Sequence, residues 1–92
     1  MMIVLNLYYT MKSGKTQEFL DKIYSLNIPQ DTLNEEGCED YSFYAAYDKD
    51  KILLVEKWLN EESLENHKNQ EHFKKLIAIK EDFVIETAAE RY

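Results

Sequence analysis

Residues 36–73 read EGCEDYSFYAAYDKDKILLVEKWLNEESLENHKNQEHF, and their pattern sets the fold. Residues 38–47 and 51–59 are rich in β-branched and aromatic side chains, and the charged triplet Asp48-Lys49-Asp50 interrupts the apolar run between them. That is the signature of a β-hairpin. Alternation places Tyr41, Phe43, Ala45 and Tyr47 on one face of the first strand and Ser42, Tyr44 and Ala46 on the other. On the second strand Ile52, Leu54, Glu56 and Trp58 share a face, opposite Leu53, Val55, Lys57 and Leu59. Both strands are apolar on two sides, so helices cover one face of the sheet and something further covers the other. A second subunit is the economical cover.

The same stretch then turns helical. Asn60 is placed to cap a helix over 61–68, whose acidic first turn suits the helix dipole. Within it Leu64 and His67 share a face, so an inward Leu64 brings His67 inward with it. Asn69 is placed to cap a further helix over 70–80, striped by Phe73, Leu76 and Ile77, with Lys74, Lys75 and Lys80 outside the stripe.

Toward the N-terminus, residues 2–10, MIVLNLYYT, form a strand that is apolar on both faces except at Asn6. A buried amide without partners costs about 1–3 kcal/mol. Asn6 therefore either tethers a neighbouring group or faces a pocket and orients a ligand. Ser13 is placed to cap a helix over 15–26, on which Phe19, Leu20, Ile23 and Leu26 make the apolar stripe. Gly14-Lys15-Thr16 mimics the end of a P-loop, but Tyr9 stands where the first glycine belongs, so the phosphate-cradling loop is missing. Pro29 suits the first position of a short helix and Gly37 its stop. Residues 82–91 close the chain as a strand through Phe83, Val84, Ile85 and Thr87. The order is strand, helix, strand, strand, helix pair, strand. It predicts one α+β domain over 1–92, a ferredoxin-like split βαβ with an antiparallel sheet and helices on one face.

A chain of 92 residues buries a modest fraction of its surface, so an apolar sheet face gains much by pairing with a second copy. The net charge of −7 is spread along the chain and repels phosphate backbones, which argues against nucleic acid. No apolar run approaches the roughly 20 residues that span a bilayer, and the start lacks a basic leader, so a soluble cytoplasmic protein without membrane contact is expected. The single cysteine, Cys38, has acidic neighbours in Glu39 and Asp40 and reads as a buried small hydrophobe. His67 and His72 do not have the i, i+4 spacing of a helical zinc site, and no set of soft ligands accompanies them, so no metal is expected.

Gly37-Cys38 with Tyr41, Glu56 and Trp58 closing a strand, His67 nine residues after Trp58, and His72-Phe73 just beyond recur together in one family. The chain resembles, over nearly its whole length, the antibiotic biosynthesis monooxygenases, small dimeric α+β proteins that include quinol monooxygenases and, more distantly, heme-degrading monooxygenases. The resemblance implies a sheet-to-sheet homodimer, the dimeric α+β barrel. It also implies an oxygenase acting on a quinol, phenol or polyketide-like aromatic with dioxygen and neither flavin nor metal.

Such chemistry needs a dry aromatic cleft, a base and an orienting hydrogen bond. The resemblance assigns these to Trp58, His67 and Asn6, with Tyr41, Phe43, Glu56 and His72 as substrate contacts. Each has a structural role beside the catalytic one: Trp58 as a core tryptophan, His67 as a satisfied histidine at a helix end. Tyr8, Tyr41, Tyr44 and Tyr47 suit a cleft or an interface equally. Heme is a cofactor only under the heme-degrading alternative, in which the histidine ligates iron; the step from Trp58 to His67 is one residue shorter than in those relatives. Another class of relative isomerises a small phosphorylated sugar-like signal, and no basic cluster here suits it. A non-enzymatic dimeric binding or stress module on the same scaffold stands as the remaining alternative.

Overall fold

In the computed structural model, which describes residues 2–92, the elements are β1 (Ile3–Met11), α1 (Thr16–Ser25), α2 (Ile28–Leu33), β2 (Cys38–Ala45), β3 (Lys51–Trp58), α3 (Glu61–His67), α4 (Glu71–Phe83) and β4 (Val84–Arg91). The sheet order is β2-β3-β1-β4, with every neighbouring pair antiparallel. This is the ferredoxin-like α+β arrangement that the order of elements predicts.

Pairing of Leu5 with Glu56, Leu7 with Leu54 and Tyr9 with Ile52 on β1 and β3, and of Tyr41 with Glu56 and Phe43 with Leu54 on β2 and β3, puts these side chains on one face. Against them pack Phe19 and Ile23 of α1, Ile28 of α2, and Leu76, Ile79 and Phe83 of α4. Phe19 is the hub, with ring centroids 6.1 Å from Tyr9, 6.4 Å from Phe43 and 5.9 Å from Phe83. Burying a side chain of this size is worth about 1.5–3 kcal/mol, so this cluster carries most of the hydrophobic stabilisation. A smaller cluster of Ile3, Trp58 and Leu64 lies at the other end of the sheet, beneath α3.

On the opposite face the register aligns Tyr44, Leu53, Tyr8 and Ala88 in one row and Ser42, Val55, Asn6 and Glu90 in the next. Tyr8 and Tyr44 are exposed there. Tyr47 falls beyond the end of β2, fully exposed in the hairpin turn rather than on a strand face.

The expected element limits shift at α4. It runs on through Phe83, because the buried stripe of Leu76, Ile79 and Phe83 continues at helical spacing, and β4 starts only at Val84. Ile79 takes the inward place expected of Ile77, which is exposed. Leu26 lies past the end of α1 and is exposed as well.

Of the expected caps, Asn60 holds: the Ser63 backbone N–H donates to its Oδ1 at 2.9 Å. Ser13 and Asn69 do not cap. Asp50, from the hairpin turn, reaches across instead and accepts from the Gly14 N–H at 3.0 Å and the Thr16 hydroxyl at 2.8 Å. Those bonds, the Gly14 one foremost, hold its carboxyl below the ordinary carboxylate range. Helix α4 begins after Gln70 with no side-chain cap.

Gly37 turns the chain into β2 at φ +85°, and a Cβ there would collide with the Ser63 side chain. Only glycine lets the segment before β2 lie this close to α3. No helix of the described residues is long and apolar enough to cross a membrane.

Candidate functional site

Helix α3 stops at His67, and residues 68–70 turn the chain before α4 starts, with His72 in its first turn. The break brings the two imidazoles to 5.9 Å between centroids, which an unbroken helix would not do for residues five apart. Glu35, between α2 and the Gly37 turn, enters the gap. Its Oε2 stands 2.6 Å from His67 Nδ1 and 2.6 Å from His72 Nε2. A carboxylate only accepts, so each of these nitrogens carries the hydrogen it donates. In neutral His67 the lone pair is then on Nε2.

Trp58 is fully buried, and its indole lies against the His67 ring at 4.7 Å. Its Nε1–H donates to Glu56 Oε1 at 3.0 Å. Glu56 is only 5 % exposed, and burial pushes its carboxyl above the ordinary 4.5, against the opposing pull of the Trp58 bond, His67 and Lys80. Lys80 Nζ sits 4.4 Å above the Tyr9 ring, and half-burial lowers its ammonium while Glu56 opposes the shift. Burial, then Glu56, raises the Tyr9 phenol.

These groups frame a cleft of about 190 Å³ between β1, α3 and α4, lined by Leu5, Leu7, Tyr9, Glu56, His67, Phe73, Leu76 and Lys80 among others. The cleft thus holds an imidazole, a carboxyl inclined to keep its proton and an ammonium group, all set among apolar walls. Such a set takes and gives protons beside a negative charge.

The residues expected to act together are dispersed. His67 and Glu56 line the cleft. Trp58 does not; it lies behind His67 as a core tryptophan under α3 and braces both groups, so it is no wall for a substrate ring. His72 opens with Glu35 into a separate depression of about 460 Å³. Tyr41 and Phe43 border a third hollow of about 520 Å³ with Tyr24, Asn27 and Pro29. Tyr41 is buried, and its hydroxyl has no hydrogen-bond partner among the described residues.

Asn6 is on the other face of the sheet, paired with Val55 and Glu90. Parity decides this: Ile3, Tyr9 and Met11 are buried under the helices, which sends even-numbered β1 positions the opposite way, and the β1 irregularity at Thr10/Met11 comes after Asn6. Cys38, expected to be buried, is half-buried, and burial above all pushes its thiol up to about 12.

Sequence reasoning passed over Glu35, Lys80 and Tyr9. Lys80 lies off the apolar stripe of α4, where a lysine normally marks a solvated face. Glu35 meets its histidines across 32 and 37 residues of chain, and no local pattern encodes that.

A sequence model of the family described as antibiotic biosynthesis monooxygenase matches residues 2–79. The chain is 32% identical over 78 residues to the Bacillus subtilis (strain 168) protein named "Putative monooxygenase YcnE", covering 84% of this chain and 80% of that one. Among solved structures, a conserved protein from Methanosarcina mazei Go1 is similar with a TM-score of 0.87 at 29% identity, over 99% of this chain and 90% of that one. A protein described as "Putative antibiotic biosynthesis monooxygenase from Nitrosomonas europaea" shares the fold with a TM-score of 0.88 at 19% identity, over 99% and 88% of the two chains.

Proposed function

Since the chain belongs to the antibiotic biosynthesis monooxygenase family, we propose that it is a cofactor-independent monooxygenase acting with dioxygen on a quinol, phenol or polyketide-like aromatic. The observation that carries this reading is His67, whose Nδ1 is held by Glu35 at 2.6 Å while the residue lines a cleft of about 190 Å³. An apolar cavity of that order takes a single aromatic ring.

His67 Nε2 removes the phenolic proton, and the phenolate gives one electron to dioxygen. The two radicals join at a ring carbon to form a C–O bond. Protonation yields a hydroperoxide; O–O cleavage and loss of the ring C–H proton then release water and leave a quinone carbonyl. The substrate supplies all the electrons, one oxygen atom enters the product, and the other leaves as water. The buried Glu56 carboxyl in the cleft wall takes the orienting place first given to Asn6. Lys80 offsets the phenolate charge. Glu35 and Trp58 act through His67 and Glu56 and are positioning residues.

The heme-degrading alternative has less support. A cleft of about 190 Å³ suits one ring rather than a four-pyrrole macrocycle, and Asn6 is not on its face of the sheet. Against the binding-module alternative stands the cleft beside His67 and Glu56, although Asn6, Trp58 and His67 do not enclose a common cleft. We also assign the apolar open face of the sheet, with Tyr8, Leu53, Val55 and Tyr44, to a sheet-to-sheet homodimer in the cytoplasm.

Oxygen uptake by the purified protein over a panel of quinols and polyphenols, above autoxidation, tests the reading. His67→Ala is expected to lower the rate roughly 10²-fold or more, the usual size of a general-base contribution. Uptake equal in His67→Ala and the parent chain would remove His67 from the mechanism, and no uptake with any aromatic would favour the binding module.

A further inference from the structure

We infer that Glu35, His67 and His72 form a binding site for one divalent first-row transition cation of the zinc type. Sequence spacing argued against a metal because His67 and His72 do not sit one turn apart on one helix. The break between α3 and α4 removes that objection, and Glu35 supplies a third ligand from elsewhere in the chain. Nδ1 of His67, Nε2 of His72 and a Glu35 carboxylate oxygen lie within 4.8 Å of one another.

Zinc binds nitrogen and oxygen at about 2.0–2.2 Å in a tetrahedron, so ligand atoms around it stand about 3.3–3.6 Å apart. The present contacts of 2.6 Å from Glu35 Oε2 to each nitrogen therefore need to open by roughly 1 Å or less, within a set whose atoms already lie inside 4.8 Å, a side-chain adjustment rather than a backbone one. Two imidazoles and one carboxylate select such a cation over Mg²⁺ or Ca²⁺, which want oxygen ligands alone.

The surroundings suit a cation. The Trp58 indole at 4.7 Å and the Phe73 ring at 5.0 Å hold the His67 imidazole in orientation. On the outer side, Glu35 and His72 border a depression that also carries Asp31 and Glu36 and no lysine or arginine. With a net charge of −7, the chain draws cations toward that opening, and three protein ligands leave coordination positions free on it.

Occupancy has a consequence at the cleft. A cation on Nδ1 leaves the imidazole proton on Nε2, so Nε2 becomes a donor and stops being an acceptor. The cation would then switch the base off; this consequence rests on the proposed oxygenase reading, whereas the binding itself does not.

The test is a Zn²⁺ titration of the full chain, followed by calorimetry and by the nitrogen resonances of the histidine rings. The expected result is one Zn²⁺ per chain, with shifts at Nδ1 of His67 and Nε2 of His72, and affinity at least about tenfold weaker in both Glu35→Gln and His72→Gln. No saturable binding up to roughly 100 μM Zn²⁺, any other pair of nitrogens, or binding unchanged in either variant would overturn the site. If a variant does not fold, the ring-nitrogen pattern of the unaltered chain decides. None of these readouts uses a substrate, so the site and the oxygenase reading fail separately.

Discussion

The two faces of the sheet place polar and apolar side chains in contrasting settings. The covered face buries ionisable groups: Glu56 and His67 lie among apolar side chains, and Lys80 and Tyr9 lie beside them. The open face carries Val4, Tyr8, Leu53, Val55 and Tyr44 beside Asn6, Lys57 and Glu90, and nothing among the described residues covers it. Burying a carboxyl and an imidazole without a use for them is costly, and leaving aromatic and aliphatic side chains in water forgoes their burial. Each face is therefore incomplete in its own way, one wanting a polar ligand and the other an apolar partner.

Truncating the brace behind the polar cluster attacks the covered face hardest. Trp58→Ala removes a fully buried indole and the donor to Glu56, and is expected to cost about 3–5 kcal/mol in denaturant unfolding, whereas a loss below about 1 kcal/mol would mean that Trp58 is not the support described. The open face responds differently. Leu53→Glu is expected to leave the unfolding of the isolated chain within about 0.5 kcal/mol while weakening self-association at least roughly tenfold in sedimentation equilibrium. A dimer of unchanged strength would move the interface off this face.

A pH comparison sharpens the assignment of Glu56. Its folded-state carboxyl is raised above 4.5, chiefly by burial, so its contribution to stability is fully present below that value and is lost as pH rises through the folded pKa. Glu56→Gln abolishes this term. Denaturant melts should show the variant gaining on the parent chain as pH rises above 4.5. A gap that moves the other way would mean that Trp58 and Lys80 outweigh burial. The smallest effect is expected at Tyr41→Phe, which deletes a buried hydroxyl without a partner and should change stability by less than about 1 kcal/mol, toward greater stability if at all. A loss of more than about 2 kcal/mol would show that this hydroxyl is bonded.

Much of the fold was legible because it is written in local patterns. Alternation over the paired parts of 38–47 and 51–59 fixed which side chains share a face, Tyr47 in the turn excepted, and the Asn60 cap marked the start of α3. The end of α4 was misplaced because Phe83 fits a strand by propensity, and only its packing against Phe19 makes it helical. Of the candidate site, His67 and Glu56 were legible as polar residues at apolar-face positions. Asn6 was not, because an isolated strand with apolar residues on both sides gives no sign of which side the helices will take.

By itself the sequence determined the order of elements, the antiparallel split βαβ and the inward turn of His67, since each follows from spacing along a few consecutive residues. Only the tertiary structure decided what His67 works with. Glu35 arrives from 32 residues upstream through a glycine turn that fits closely against Ser63, and His72 from beyond a helix break. Their meeting depends on where three elements pack, and packing is a property of the whole chain that no local spacing records.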